Sequence, residues 1–378
     1  MIPGPVEISP RVLEACSGAP SSHLAPDIIE AFGASLGLMR KAWLASDSAQ
    51  PFVLPGSGTT AMEMAATNLL DPGDEAVVVW TGYFSDRMAE MLRRRGVKVT
   101  VVEAEPGDVP SLDAVGAALG SGSPRALFAT HVDTSTGVRV DARALARLAA
   151  DRGALSIFDG VCATGGERFE MQAWGADVYL TASQKAVGLP AGLGLLVVGE
   201  RALEARKRLR VAPPLSLDFD SWIPIMRAYE ERRPSYFATP PTTLLRGLLV
   251  ALEEMLDGGM EARFAEHERA ARRMRAGWGA LGLSLLPKRE EITANTLSAL
   301  YLPDGVGPEL AAEIGKRGVV VAGGLLPALR TRYFRVGHMG AVLKRPEALR
   351  ATVGAVGEAL GALGHRADVA AALSAFET

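Results

Sequence analysis

The feature that most constrains the fold of this chain is a rhythm. Short, apolar, β-prone runs at residues 76–80, 97–102, 126–130, 155–158 and 178–181 alternate with stretches of helical periodicity, among them 85–95 and 142–151. The runs are too short for helices, and they lack the polar alternation of a half-exposed strand. They read as strands covered on both faces. Strands that alternate with helices in this way give an α/β unit with a largely parallel sheet. Ligands of such sheets sit beyond the carboxyl ends of the strands, so chemistry is expected in the residues just after each run.

Beyond the fifth run the pattern changes. The segment 201–210 reads as a very basic helix with a solvated face. A long helix is expected to start near Pro241 and to run to the break at Asp257-Gly258-Gly259. A helix at 260–281, a strand at 297–302, a helix at 307–317, a strand at 318–322 and a strand at Phe334-Arg335-Val336 then read as a smaller α+β domain. A chain of 378 residues exceeds what one hydrophobic core usually serves, so about two domains are expected. The expected division is an N-terminal arm over 1–20, a large domain over 21–255 and a small domain over 256–378.

Composition narrows the class. A formal charge of -3 offers no electrostatic case for nucleic acid or an anionic membrane. The two cysteines, Cys16 and Cys162, are too few for a disulfide scaffold and suit a reducing compartment, so a cytoplasmic location is expected. Cys162 itself reads as a small buried residue. The opening Met1-Ile2-Pro3-Gly4-Pro5 lacks the basic and apolar regions of a signal peptide. No apolar run reaches the length of a membrane span. No His/Cys cluster has metal-ligand spacing, so no metal is expected.

Two strand ends carry chemistry. The run Val178-Tyr179-Leu180-Thr181 leads through Ala182, Ser183 and Gln184 to Lys185, with Gly188, Gly192 and Gly194 beyond. A lysine in a partly desolvated pocket gives up its proton more easily and can form a Schiff base. One strand earlier, Leu155-Ser156-Ile157-Phe158 ends on Asp159. A lysine for an aldehyde and an aspartate for a pyridinium nitrogen are the two groups that pyridoxal phosphate asks of its protein. A third element, Pro55-Gly56-Ser57-Gly58-Thr59-Thr60, brings small residues and hydroxyls to an expected helix start, where free N–H groups bind phosphate. It is not a Walker loop, because no Gly-Lys-Ser/Thr follows.

Taken in order, these segments resemble the class V aminotransferases of fold type I, in the group of alanine–glyoxylate and serine–glyoxylate (pyruvate) aminotransferases. The resemblance rests on Pro3-Gly4-Pro5, on Gly56-Ser57-Gly58-Thr59, and on His131-Val132-Asp133-Thr134-Ser135-Thr136-Gly137. It continues through Asp159-Gly160-Val161, Thr181-Ala182-Ser183-Gln184-Lys185, Thr239-Pro240-Pro241-Thr242 and Phe334-Arg335-Val336-Gly337. It implies a large domain with a mostly parallel seven-stranded sheet and a smaller C-terminal α+β domain.

The resemblance also implies roles. Lys185 would form the Schiff base and move the catalytic proton, while Asp159 would keep the ring nitrogen protonated. Val161 would pack on one ring face and Phe84 on the other, with Tyr83 as the alternative. Thr134 would bond the phenolic oxygen. Ser57, Gly58, Thr59 and Gln184 would hold the phosphate, joined by Tyr236 and Thr239 of a second subunit in a homodimer. Gly4 would line the substrate pocket, and Arg335 would bind the substrate carboxylate as a two-toothed donor. His338 is read as a spacer or entrance residue, and His131 is assigned no role.

The implied activity is transfer of an amino group from a small amino acid, alanine or serine, to glyoxylate or pyruvate. A dicarboxylic donor such as glutamate fits less well, because few groups besides Arg335 could take a second acid. The alternatives are a 2-aminoethylphosphonate–pyruvate transaminase or another class V enzyme of lyase or desulfurase type. A desulfurase would need a reactive cysteine late in the chain, and none follows Cys162.

Overall fold

The computed structural model describes residues 1–377. Seven strands build the main sheet: β1 (Gln50–Pro55), β2 (Glu75–Val79), β3 (Lys98–Val102), β4 (Pro124–Thr130), β5 (Leu155–Asp159), β6 (Val178–Ala182) and β7 (Leu193–Val198). Their order is β1-β7-β6-β5-β4-β2-β3. All neighbours run parallel except β7, which is antiparallel to both β1 and β6. Strand β1 therefore points the same way as β4, β5 and β6. Its carboxyl end lies on their edge of the sheet, and β7 starts there.

The five strands expected from apolar runs form within one or two residues of their expected bounds. Strands β1 and β7 were not among them. Strand β1 carries Pro51 and Pro55, residues that argue against a strand unless it lies at an edge, and β1 is an edge of the sheet. Strand β7 is wholly buried and follows the glycine-rich exit from Lys185, so its run reads as a continuation of that loop.

A second sheet follows, with β8 (Leu297–Tyr301), β9 (Ala322–Gly323) and β10 (Tyr333–Gly337) in the antiparallel order β8-β10-β9. The expected strand at 318–322 is reduced to the two residues of β9, and Val320 is 65% exposed. Only Ala322 and Gly323 find partners, Arg335 and Phe334 of β10. The expected helices near 241–257 and 260–281 form as Thr242–Leu256 and Gly259–Ala280. The apolar residues separate into two large cores, one around Phe32, Phe52, Phe158 and Tyr179, the other around Trp278, Phe334, Val353 and Phe376.

The basic segment is solvated as expected at Arg201, Lys207, Arg208 and Arg210, and departs from that reading only at Arg206. The helix ends at Arg206, and that arginine turns inward, donating to Asp218 Oδ1 at 2.7 Å and to Asn68 Oδ1 at 3.1 Å. Its side chain is 11% exposed and also lies 2.8 Å from Asp220 Oδ2. A charge buried so far requires such partners.

Candidate active site

Register brings the strand-end residues together. Thr130 lies opposite Asp159, and Asp159 opposite Leu180, so β4, β5 and β6 end side by side. The helix Gly58–Leu69 leaves the same edge after β1, and Tyr83–Arg94 leaves it after β2. The antiparallel return of β7 then closes the turn that carries Lys185. Ser183 staples this turn by donating to Pro190 O at 2.7 Å and accepting from Leu193 N at 3.2 Å.

Lys185 is 7% exposed. Its amine donates to the carbonyl of Pro3, so the first residues of the chain reach the lysine. Gly4 has φ +96, and a Cβ there would stand 2.8 Å from Lys185 Cε, which restricts the position to glycine. The N–H of Val6 donates to Gln184 O and that of Gly337 to Met1 O, lashing the arm to both sides of the site. Burial, with the nearby Arg335 charge, pushes the Lys185 amine below its ordinary value and favours the unprotonated form.

Asp159 is 3% exposed, and its one hydrogen bond comes from Val161 N at 2.9 Å. Burial, with the Asp133 charge, raises it to about 6 against the pull of that N–H. The carboxylate has one donor and, among the described residues, no ion-pair partner, although the more distant Lys185 and Arg87 charges pull its pKa down. A protonated ring nitrogen would supply that partner. The phosphate loop sits close by: a Cβ on Gly58 would lie 2.6 Å from Val161 Cγ2. Glycine at 58 thus lets the helix start close up against the residue beside Asp159. These residues fit pyridoxal phosphate.

Arg335, on β10, is anchored by Nε to Gly323 O at 2.9 Å and by Nη1 to Thr134 O at 3.0 Å. Its Nη2 makes no hydrogen bond among the described residues and remains available to a carboxylate. Thr134 is buried, whereas Phe84, Val161, Ser57, Thr59 and Gln184 are half-buried around the strand ends. Tyr236 and Thr239 stand apart from this group. They are exposed, share a contact of 3.3 Å between Oη and Oγ1, and make no hydrogen bond to Ser57, Thr59 or Gln184.

Sequence reasoning missed three residues. Asp133 is completely buried and accepts from Ser135 Oγ at 2.5 Å, Ser135 N at 2.9 Å, Phe84 N at 3.1 Å and Ser85 N at 3.4 Å. It caps the helix Tyr83–Arg94 from the loop after β4 and so fixes Phe84. Tyr333 Oη accepts from Leu325 N and Leu326 N, both at 2.8 Å, and donates to Ser135 O at 2.5 Å. Arg87 lies beside Tyr83 and Phe84. For Arg87 a signal existed: it falls three and four residues after Phe84 and Tyr83, on one helix face.

The three remaining candidates serve the interior. His338 is fully buried and shares a 3.0 Å hydrogen bond between Nε2 and Ser298 Oγ, so it is no entrance residue. Burial lowers it to about 3 and keeps the ring neutral. His131 pairs with Tyr179 Oη at 2.9 Å. Cys162 is buried with Sγ 3.8 Å from Thr296 Oγ1.

The family model of the class-V aminotransferases matches residues 39–338, which span the phosphate loop, Asp159, Lys185 and Arg335. The chain is a class V aminotransferase. Alanine–glyoxylate aminotransferase 1 of Saccharomyces cerevisiae is 36% identical to this aminotransferase over 356 residues, covering 90% of this chain and 91% of the yeast protein. The L-aspartate–glyoxylate aminotransferase of Paracoccus denitrificans is 34% identical, covering 90% and 86%. Among solved structures, alanine–glyoxylate aminotransferase from Nostoc sp. superposes with a TM-score of 0.88 at 29% identity, covering 95% of this chain and 94% of that one. The aminotransferase is thus a fold type I enzyme that uses pyridoxal phosphate. Among its described residues no helix is long and apolar enough to cross a membrane.

Proposed function

We propose that this enzyme moves the amino group of a small amino acid, alanine or serine, to glyoxylate or pyruvate in a ping-pong cycle. The observation that carries the reading is Arg335. Two of its nitrogens are spent on Gly323 O and Thr134 O, and Nη2 alone is left for the substrate. No other arginine or lysine among the described residues donates to that frame. Arg335 therefore offers one carboxylate a cation, while the other unpaired arginine of the cleft, Arg87, is turned to Thr59, Tyr83 and Phe84.

When bound, pyridoxal phosphate would supply an aldehyde within reach of Lys185 and a ring able to accept electrons from the substrate's Cα. The chain's own residues do the rest. Arg335 holds the α-carboxylate of donor and acceptor in turn. Lys185 Nζ, whose proton burial makes easier to lose, takes the proton from Cα and returns it. Asp159 holds the proton on the ring nitrogen. Ser57, Gly58, Thr59 and Gln184 anchor the phosphate, Thr134 the phenolic oxygen, and Phe84 and Val161 enclose the ring. Pro3 and Gly4 wall the pocket on the arm side.

Tyr236 and Thr239, exposed and unattached to their own phosphate loop, reach the phosphate of a second copy in a homodimer. The free cysteines suit the cytoplasm. The arm over 1–20, the large domain over 21–255 and the small domain over 256–378 remain the working division.

A matrix of amino donors and 2-oxo acids tests the assignment. Alanine and serine with glyoxylate and pyruvate should exceed aspartate, glutamate and 2-aminoethylphosphonate as donors. A clear preference for aspartate, the donor named for the Paracoccus relative, or for the phosphonate would overturn it.

A further inference from the structure

Arg87 is an arginine in the active-site cleft without an acidic partner. Among the described residues no carboxylate lies within ion-pair distance of it, whereas the interior arginines Arg40, Arg139 and Arg206 are each paired with an acid. Its guanidinium carbon lies 4.9 Å from the centroid of the Phe84 ring and 5.2 Å from that of Tyr83. Its Nη1 donates to Thr59 Oγ1 at 2.9 Å. Thr59 belongs to the first turn of the helix Gly58–Leu69, where free N–H groups favour an anion.

The hydroxyls at this helix start are already sorted. Thr60 Oγ1 accepts from Ser57 N at 3.1 Å and is committed to the local cap. Thr59 Oγ1 accepts from Arg87, while its own hydrogen has no acceptor among the described residues. With one lone pair taken by a cationic donor, the Thr59 O–H is polarised and its hydrogen is free to be donated to a ligand. The other groups assigned to the phosphate, Ser57, Gly58 and Gln184, carry no charge.

We propose that Arg87 is a positioning residue for the cofactor's phosphate: it orients the Thr59 hydroxyl toward that group and brings positive charge to a cradle otherwise built of neutral donors. The proposal rests on the cofactor assignment above. A guanidinium suits both tasks, because its plane stacks on the aromatic pair while its edge donates in a fixed direction.

The test compares two ligands that differ only in the phosphate. Dissociation of pyridoxal phosphate from the holoenzyme and of unphosphorylated pyridoxal from the pyridoxal-loaded enzyme is followed by absorbance after ultrafiltration. Arg87→Met keeps the apolar stem and removes charge and donor. It should weaken pyridoxal phosphate about ten- to a hundredfold, the range for a hydrogen bond to a charged group. Pyridoxal should be held within about twofold of wild type, and Arg87→Lys should recover part of the loss. In a Thr59→Val background Arg87→Met should cost less than in wild type, by the part of its effect that passes through that hydroxyl. Equal weakening of both ligands in Arg87→Lys and Arg87→Met would make Arg87 a brace for Tyr83 and Phe84 and overturn the proposal. Unchanged affinity for pyridoxal phosphate would do the same. A wild-type protein that holds no pyridoxal phosphate would instead sink the cofactor assignment, and this proposal with it.

Discussion

Replacing Asp159 by asparagine should stabilise the cofactor-free protein while weakening its hold on the cofactor. The carboxylate is 3% exposed, with one N–H donor and no cation beside it. An unfolded aspartate loses its proton near 3.8, but the folded one does so only near 6. Between those values the folded protein holds more protons than the unfolded chain. Stability therefore falls as pH rises through that window, and the loss is complete above about 6. A difference of this size corresponds to about 3 kcal/mol. Asparagine keeps the shape and never ionises. Cofactor-free Asp159→Asn should match wild type near pH 4 and exceed it increasingly up to pH 6, reaching a plateau of up to about 3 kcal/mol. With pyridoxal phosphate bound the order should reverse, because the charged hydrogen bond to the ring nitrogen is lost and the cofactor stabilises by mass action. Urea unfolding of both forms at several pH values gives the comparison. The reasoning fails if the cofactor-free curves of the two proteins coincide at pH 8.

Three further outcomes are expected. Arg335→Lys keeps the charge but loses the fork held by Gly323 O and Thr134 O, so KM for donor and acceptor should rise together, about tenfold or more, with cofactor affinity nearly unchanged. Asp133→Ala strips the acceptor from Phe84 N, Ser85 N and both Ser135 donors, which should cost about 3 kcal/mol in urea unfolding, and Asp133→Asn should cost less. Dilution below the dimer dissociation constant, followed by sedimentation, should release cofactor and activity together, and a fully active monomer would rule out the role assigned to Tyr236 and Thr239.

What was legible in the sequence was whatever local pattern controls. Lys185 and Asp159 stood out because each closes a buried apolar run, and the sheet delivers such ends to one edge. Asp133 was quoted within a motif but could not be given work. Its donors lie near residue 84, and only the pairing of β4 with β2 brings the two segments together. Arg206 was read as solvated because its partners arrive from Asp218 and Asn68, which no helical periodicity reveals. His338 has the same difficulty: its partner, Ser298, sits across the β8–β10 ladder. Strand β1 was hidden by prolines that an edge position tolerates.

The Tyr333 hydroxyl has a mechanical consequence. One oxygen rivets the turn before β10 to the backbone of Ser135, and Ser135 is in turn bound to the helix that carries Phe84. Arg335, two residues further along β10, is tied to Thr134 in the same loop. Arg335, the proposed grip on a substrate's carboxylate, and Phe84, the proposed slab behind the cofactor ring, therefore belong to one frame. A motion that swings Arg335 toward a ligand must carry that loop with it or break the rivet. Tyr333→Phe would remove the rivet and keep the ring, letting the jaw of the enzyme move independently of its anvil.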